Sequence, residues 1–346
     1  LTIYDATKQG AESLKIVNGS DAIKPSGRAI QSLVAADNGR LFASWYMTAD
    51  QLLSVTPGEK ADGATFKLVD SPIGQGEGMA VNGDTLVVGL YPGGKVTSRS
   101  TTNDDAYKTE PKAVDGQDRP YAITHTTDNV FAIGTVPRDG KLGGALALYD
   151  ANAHKVQKTI AFDSLSYAAG VPQDRLAQQS PISMAYRNGK LYIGTTSNVA
   201  VDKKTNKPQE AQLVEFDVAS STVTRVVNPF EGEGQNAITA LTFGDDGMLY
   251  GITGAQVFKV DTASFAITKN KVLKDAQEVN RSWLVQRGGQ LFGVVQGALY
   301  AIQTSDLTSQ SIAGGGVSAL TLGKDGYLYY ARGADIYRND YAKAGR

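Results

Sequence analysis

Basic residues that stand beside aromatic residues are the side chains in this sequence best suited to binding chemistry. Arg28, Arg119 and Arg281 each stand near the start of an alternating apolar run. A guanidinium group binds a carboxylate or a phosphate through two parallel hydrogen bonds, and a flat aromatic ring offers a surface on which a sugar can stack. We therefore predict that these arginines bind an anionic or polyhydroxylated ligand. The other members of the predicted ligand-binding set are Tyr91, Lys95, Tyr121, Arg138, Lys141 and Trp283, and Tyr46 stands near them.

The same residues also have a purely structural interpretation. Each arginine could form a salt bridge with a loop aspartate such as Asp118, and the aromatic rings could pack between neighbouring repeats. A surface ion pair of this kind contributes little to stability and needs no ligand. For any one residue the structural interpretation is preferred, whereas for the set as a whole both stay open.

Catalytic patterns are sparse. The chain contains no Cys and only two histidines, His125 and His154, and it has no His-x-His, His-Glu-x-x-His or Gly-x-Ser-x-Gly sequence. A zinc site, a thiolate nucleophile and a serine nucleophile elbow are therefore not expected. Five loop carboxylates could supply a glycosidase pair, which needs a separation of about 5 to 10 Å: Glu77, Asp118, Asp174, Glu210 and Glu278. We assign no catalytic residue and expect no metal and no cofactor.

Charge and hydropathy exclude other classes of function. The 346 residues include 34 basic and 35 acidic side chains, a net charge of -1, so no basic excess supports nucleic-acid binding. No apolar stretch approaches the ~20 residues that cross a bilayer. The chain opens directly in a strand-like segment without a signal peptide, which predicts a mature or excised piece of a longer exported protein. We expect a monomer that is secreted or attached to the cell surface.

The elements that must position these residues follow from a repeat. A short apolar strand, a tight polar turn and an apolar-aromatic strand recur seven times. The turns are Asn-Gly, Asp-Gly, Gly-Gly or Asp-Asn, which tolerate the positive φ of a hairpin. The seven copies are LVAADNGRLFASW, MAVNGDTLVVGL, YAITHTTDNVFAIGT, ISMAYRNGKLYIGT, ITALTFGDDGMLYGIT, SWLVQRGGQLFGVV and VSALTLGKDGYLYYA.

A second hairpin follows the first in each repeat. Its third strand commonly ends in Asp, as in LALYDANAHKV, LVEFDVASSTV and VFKVDTASFAI, because an Asp side chain can accept hydrogen bonds from the backbone of its own turn. Seven units of four strands, at roughly 40 to 50 residues each, predict an all-β, seven-bladed β-propeller with antiparallel blades. It occupies residues 1–346 as a single domain. The last blade lacks a fourth strand, and residues 12–17 (ESLKIV) are the predicted donor that closes the ring.

Long connections are concentrated in neighbouring repeats. In a propeller the second-to-third-strand loops and the connections between blades emerge on one face, which we call the mouth. Long loops of a compact domain commonly carry function. The long connections are residues 135–144, 163–180 and 197–212. We therefore predict a ligand groove at the mouth over blades two to four.

Several phrases resemble a known group of proteins. GLYPGGKV (residues 89–96), DRPYAI (118–123), IGTVPRDGKLGGALALYD (133–150) and DDGMLYGITGAQVFKVD (245–261) are similar to propeller modules of large secreted Gram-positive, especially actinobacterial, proteins. The resemblance covers about residues 78–262. It implies a place beside carbohydrate-active or cell-wall-associated domains, and it carries no catalytic residues.

Three functions are consistent with these observations, of which the weakest is a purely structural propeller that spaces other domains. The first is a non-catalytic recognition module that binds a glycan or a cell-surface protein through the mouth loops. The second is a polysaccharide lyase or glycoside hydrolase that acts on an acidic polysaccharide, for which an Arg or Lys would neutralise the substrate and a Tyr or His would serve as base. The first is preferred, because the sequence shows no strong catalytic constellation.

Overall fold

A computed structural model shows seven small β-sheets arranged as the blades of a propeller. The residues that it describes are 14–17, 28–47, 51–59, 63–70, 74–104, 112–138, 141–197, 208–274 and 281–341. The predicted all-β, seven-bladed fold is confirmed. No helix in these ranges is long and apolar enough to cross a bilayer.

The first four blades follow one another along the chain. Blade one contains β2 (Ile30–Ala35), β3 (Leu41–Trp45), β4 (Gln51–Thr56) and β5 (Thr65–Asp70). Blade two contains β6 (Gln75–Asn82), β7 (Thr85–Tyr91), β8 (Lys95–Ser100) and β9 (Lys112–Ala113). Blade three contains β10 (Gln117–His125), β11 (Val130–Pro137), β12 (Ala145–Asp150) and β13 (Lys155–Ala161). Blade four contains β15 (Ser180–Arg187), β16 (Lys190–Thr196), β17 (Leu213–Asp217) and β18 (Thr222–Val227).

The remaining blades complete the ring. Blade five contains β19 (Ile238–Phe243), β20 (Leu249–Thr253), β21 (Gln256–Asp261) and β22 (Ala266–Val272). Blade six contains β23 (Trp283–Arg287), β24 (Gln290–Val295), β25 (Ala298–Gln303) and β26 (Ser309–Ala313). Blade seven contains β27 (Val317–Leu322), β28 (Leu328–Arg332), β29 (Asp335–Asn339) and, as its outer strand, β1 (Leu14–Val17).

The ring closes as the sequence predicts. β1 pairs antiparallel with β29, with Leu14 opposite Arg338 and Lys15 opposite Tyr337. The first strand of each blade also packs beside the first strands of both neighbouring blades, so β2 contacts β27 as well as β6. The described donor strand is Leu14–Val17, while Glu12 and Ser13 lie outside the described residues.

The hydrophobic core is divided among the contacts between blades. Each of the seven interfaces between neighbouring blades has its own buried apolar cluster among the described residues. The sheets approach most closely at glycines of the second strand. A Cβ added to Gly134 would lie 2.5 Å from the Pro181 carbonyl oxygen, and one added to Gly89 would lie 2.5 Å from Pro120 Cβ. These glycines therefore set the spacing between blades two, three and four.

A buried Gln–Thr contact recurs in blades three, four and five. In blade four the Thr195 hydroxyl donates to Gln179 Oε1 at 2.8 Å, and the Gln212 backbone N–H donates to that hydroxyl at 2.8 Å. Thr135 donates to Gln117 in the same way, at 2.9 Å. The fifth blade repeats the contact between Thr253 and Gln235, at 3.2 Å. The contact ties the entry of each blade to the end of its second strand, and we call it the Gln–Thr clasp.

Asp residues close the third strands as predicted. Asp150 Oδ1 accepts hydrogen bonds from the backbone N–H groups of Asn152 and Ala153, at 3.0 and 2.9 Å. Asp217 and Asp261 accept equivalent bonds from Ser220 and Ala263, both at 2.8 Å. Hydrogen bonds from the turn backbone lower the pKa of Asp217 and of Asp261 below the ordinary value. These carboxylates therefore stabilise turns.

The long connection before blade four differs from the prediction. Its residues Phe162–Ser164 form a 3-10 turn, and Ser166–Tyr167 form a short strand, β14, that pairs in parallel with β18. Blade four therefore has five strands rather than four. This part of the connection lies at the outer edge of the blade, where it covers otherwise unpaired backbone groups, so it is not a wall of the mouth.

We expect deletion of residues 1–17 to lower the melting temperature strongly and to promote aggregation. The deletion removes β1 and leaves the edge of β29 without a partner. Circular dichroism melts and size-exclusion chromatography measure both effects. Deletion of residues 1–13 is the matched control because it spares β1. Equal melting temperatures for the two truncated proteins would contradict the assigned closure.

We expect Thr195→Val to lower the free energy of unfolding by about 1–3 kcal/mol, because the buried Gln179 and Gln212 groups lose a hydrogen-bond partner. Urea denaturation measures the change. Thr195→Ser keeps the hydroxyl and serves as control. A valine variant as stable as the serine variant would show that the clasp contributes nothing.

Candidate functional site

A buried carboxylate at the mouth joins two of the predicted arginines. Glu77 lies near the start of β6 and is only 3% exposed. Arg119 Nη1, from blade three, lies 2.5 Å from Glu77 Oε1, and Arg281 Nη2 lies 3.1 Å from Glu77 Oε2. Since Arg281 immediately precedes blade six, its side chain reaches across the mouth to blade two. We call Arg119, Glu77 and Arg281 the charged cluster, which carries a net charge of +1.

Each guanidinium group of the cluster also stacks on a tyrosine. Arg119 Cζ lies 3.7 Å from the centre of the Tyr91 ring, and Arg281 Cζ lies 4.0 Å from the centre of the Tyr121 ring. A planar guanidinium held against an aromatic face loses little further freedom when it binds an anion. The structure therefore brings four of the predicted ligand-binding residues together in one place.

Blade two creates room for this cluster by departing from the Gln–Thr clasp. Gly89 is followed by Leu90, whereas the corresponding glycines of blades three and four are followed by Thr135 and Thr195. Gln75 therefore has no threonine partner and instead donates to Glu77 Oε1 at 2.8 Å. The same amide group lies 3.2 Å from Gln31 Oε1 of blade one. Blade one is thereby connected to the charged cluster.

Arg28 lies beside the cluster rather than in it. Its guanidinium donates to the carbonyl of Met47, at the end of the turn that follows β3. The backbone N–H of Met47 donates to Gln75 Oε1 at 2.6 Å. Arg28 therefore supports the exposed turn of Tyr46 and Met47, and a chain of contacts joins that turn to Glu77.

A cavity of about 260 Å³ opens below the charged cluster, between the first strands of the blades. Glu77, Tyr121 and Arg281 line it at the mouth end. Small hydroxyl side chains from four different blades contribute to the rest of its wall: Ser32, Ser183, Thr239 and Thr321. The cavity therefore has charged and aromatic side chains at its mouth end and small hydroxyl groups in the rest of its wall.

The other predicted residues lie apart from the cluster. Arg138 and Lys141 are exposed on the loop after β11, and no hydrogen bond or ion pair among the described residues joins their side chains to Glu77. Lys95 was predicted on a loop, but it is the first residue of β8. Trp283 is partly buried; it lines the same cavity as Glu77 and Arg281 and also packs against apolar clusters of blades one, six and seven.

Sequence reasoning identified the arginines but not how they are held. Glu77 was recognised as a mouth carboxylate, yet not as their common partner, while Gln31 and Gln75 were missed. The sequence did contain a signal for this difference. A glutamine recurs at the entries of four blades: Gln75, Gln117, Gln179 and Gln235. In blades three, four and five a threonine stands near the end of the second strand, whereas blade two has Leu90 there.

Several described carboxylates accept hydrogen bonds that favour their charged form. Asp118 accepts from the Gly93 backbone at 2.8 Å, and backbone hydrogen bonds from Gly232 and Gly234 lower the pKa of Glu210. Burial alone would raise the pKa of Glu215, but hydrogen bonds from Lys190, Thr224 and Arg225 bring it below the ordinary value. Every described carboxyl group whose pKa shifts clearly is shifted downward. None of these groups is suited to act as a general acid near neutral pH.

Neither the two histidines nor the described carboxylates form a further candidate site. His125 Nε2 is 2.8 Å from the Asp128 carbonyl oxygen, and His154 Nδ1 is 2.9 Å from the Ser98 hydroxyl, so both rings have local structural partners. Among the described residues, no group of three or more His, Asp or Glu side chains could hold a metal ion. Asp174 is exposed, and Glu278 lies outside the described residues.

Comparison with known proteins supports the fold. No known family of sequences and no curated protein matches the chain. A chain in the crystal structure of the mitotic checkpoint complex is similar in structure, with a TM-score of 0.66 and 15% identity over 98% of this chain and 96% of that one. The WD40 β-propeller domain of Doa1 has a TM-score of 0.61 and 8% identity, over 97% and 99% of the two chains. At these identities the likeness shows the fold alone.

The chain is thus a seven-bladed β-propeller. A charged cluster connects blades two, three and six at the mouth of the ring.

We expect Glu77→Ala to lower the free energy of unfolding by about 3 kcal/mol, because the partly buried guanidinium groups lose their counter-charge. The loss falls at the low end of the range for buried pairs, since 34% of the Arg119 side chain is exposed to solvent. Chemical denaturation measures it. Glu231→Ala is the control, because that side chain is 75% exposed and lies 4.0 Å from Arg175. Similar losses in both variants would contradict a stabilising role for the cluster.

Proposed function

We propose that this protein is a non-catalytic recognition module that binds an acidic glycan at the mouth of the propeller. The observation that carries the proposal is the charged cluster, in which two guanidinium groups share one carboxylate at the entrance of a cavity. One positive charge is left without a counter-charge within the cluster, and a carboxylate or sulfate group of a glycan would supply it.

The geometry favours binding over catalysis. The guanidinium groups are fixed by stacking on Tyr91 and Tyr121, so little ordering is required when an anion arrives. A polysaccharide lyase would need a general base close to the arginines that bind the acidic sugar. The Tyr121 ring stacks on the Arg281 guanidinium, and among the described residues no hydrogen-bond partner is found that would remove its proton. The proposed site is therefore a place where a ligand is held.

The proposed site differs in position from the groove over blades two to four that the loop lengths predict. The cluster draws on blades two, three and six and connects through Gln31 to blade one, whereas blade four contributes only to the cavity wall. The proposal retains a secreted or cell-surface location, since acidic glycans are abundant outside cells. A cell-surface protein that presents an acidic side chain is the second class of partner.

We expect Arg119→Ala to weaken binding of an acidic glycan by at least about tenfold, because a charge-assisted hydrogen bond contributes ~1.5–3 kcal/mol. A glycan array with uronate, sialate and sulfated probes identifies the ligand, and calorimetry measures its affinity. Arg119→Lys should bind with intermediate affinity, since lysine keeps the charge but loses the planar fork.

The control is Arg332→Ala on blade seven, whose guanidinium donates to the carbonyls of Gly314 and Gly315 and lies outside the cluster. Its affinity should equal that of the wild type. Failure of the wild type to bind any acidic probe, or an equal loss in the Arg332 variant, would refute the proposal. Cleavage of a bound probe would identify a lyase or hydrolase instead.

A further inference from the structure

An exposed aromatic-apolar turn stands next to the charged cluster. Tyr46 is 52% exposed and Met47 is 63% exposed, although most large apolar side chains of the described chain are buried between blades. We call these two residues the blade-one tip. Exposed apolar residues that stand together beside a charged cluster are typical of a contact surface.

The tip is held in a fixed conformation. Met47 has a φ of +57°, a left-handed conformation that costs energy for a residue with a side chain. Three hydrogen bonds hold it there. The Tyr46 N–H donates to the Ala29 carbonyl at 2.9 Å, the Met47 N–H donates to Gln75 Oε1 at 2.6 Å, and Arg28 donates to the Met47 carbonyl. The aromatic side chain is thus presented on an anchored backbone.

The anchor that holds the tip also belongs to the binding site. Gln75 accepts from Met47 through its oxygen and donates to Glu77 through its amide group. One side chain therefore separates the tip from the carboxylate between the two guanidinium groups. The tip is therefore adjacent to the place proposed for the acidic group of the ligand.

We infer that the blade-one tip is a second subsite, which binds the sugar unit adjacent to the acidic one by contact with Tyr46 and Met47. The inference rests on the proposed function and deepens it, because it makes the recognised ligand an oligosaccharide rather than a single acidic sugar. The chemistry is complementary: the apolar C–H face of a sugar ring covers the tip, while the acidic group remains with the arginines.

The test compares a monosaccharide with an oligosaccharide. Calorimetric titrations with galacturonate and with tetragalacturonate are carried out on the wild type and on Tyr46→Ala, Tyr46→Phe and Phe66→Ala. Phe66 is the matched control, because it is an exposed aromatic residue of the same blade on the outer strand β5. Arg119→Ala is included to report on the charged cluster.

We expect Tyr46→Ala to weaken tetragalacturonate binding by at least about fivefold while galacturonate binding stays unchanged. Tyr46→Phe and Phe66→Ala should bind both probes like the wild type. Unchanged tetragalacturonate binding in Tyr46→Ala, with a loss in Arg119→Ala, would overturn the second subsite alone. An equal loss for both probes in Tyr46→Ala would show that the tip only supports the cluster. A wild type that binds neither galacturonate probe would overturn the subsite for a uronate chain, while the glycan array decides the proposed function separately.

Discussion

Each sheet of this protein has two apolar faces, and only a closed ring covers all of them. The seven buried clusters lie between blades, so no blade carries a complete core of its own. The pairing of β1 with β29 completes blade seven, whose inner strands pack against blade one. The charged cluster depends on the same closure, since Arg281 and Glu77 come from opposite parts of the ring.

The contacts around the charged cluster depend on one departure from the recurring Gln–Thr clasp. The Gln–Thr clasp satisfies a buried amide group in blades three, four and five without reference to any ligand. In blade two, Leu90 removes the hydroxyl partner, and the freed Gln75 supports Glu77 and the blade-one tip instead. Of the four described blades that begin with this glutamine, blade two alone lacks the clasp, and its glutamine contacts the charged cluster instead.

Local patterns predicted the fold, and long-range geometry determined the site. Turn dipeptides and alternation were sufficient for seven hairpins because both are read within about ten residues. The third-strand Asp turns and the closing strand also followed from short segments. The contact of Arg281 with Glu77 was not predictable in this way, since its partners are about two hundred positions apart and meet only in the closed ring. β14 was missed because two residues pairing in parallel leave no periodic signal.

The pairing of Leu14 with Arg338 also has a consequence for the order in which the protein folds during synthesis. The first described strand is translated more than three hundred residues before its partner, so it stays unpaired while blades one to six assemble in sequence. The entropy of closing so long a loop grows only slowly with its length, yet contacts between distant residues slow folding considerably. During that interval both ends of the unfinished ring expose sheet edges to other chains. A nascent molecule is therefore most vulnerable to association with its neighbours just before the last blade is complete.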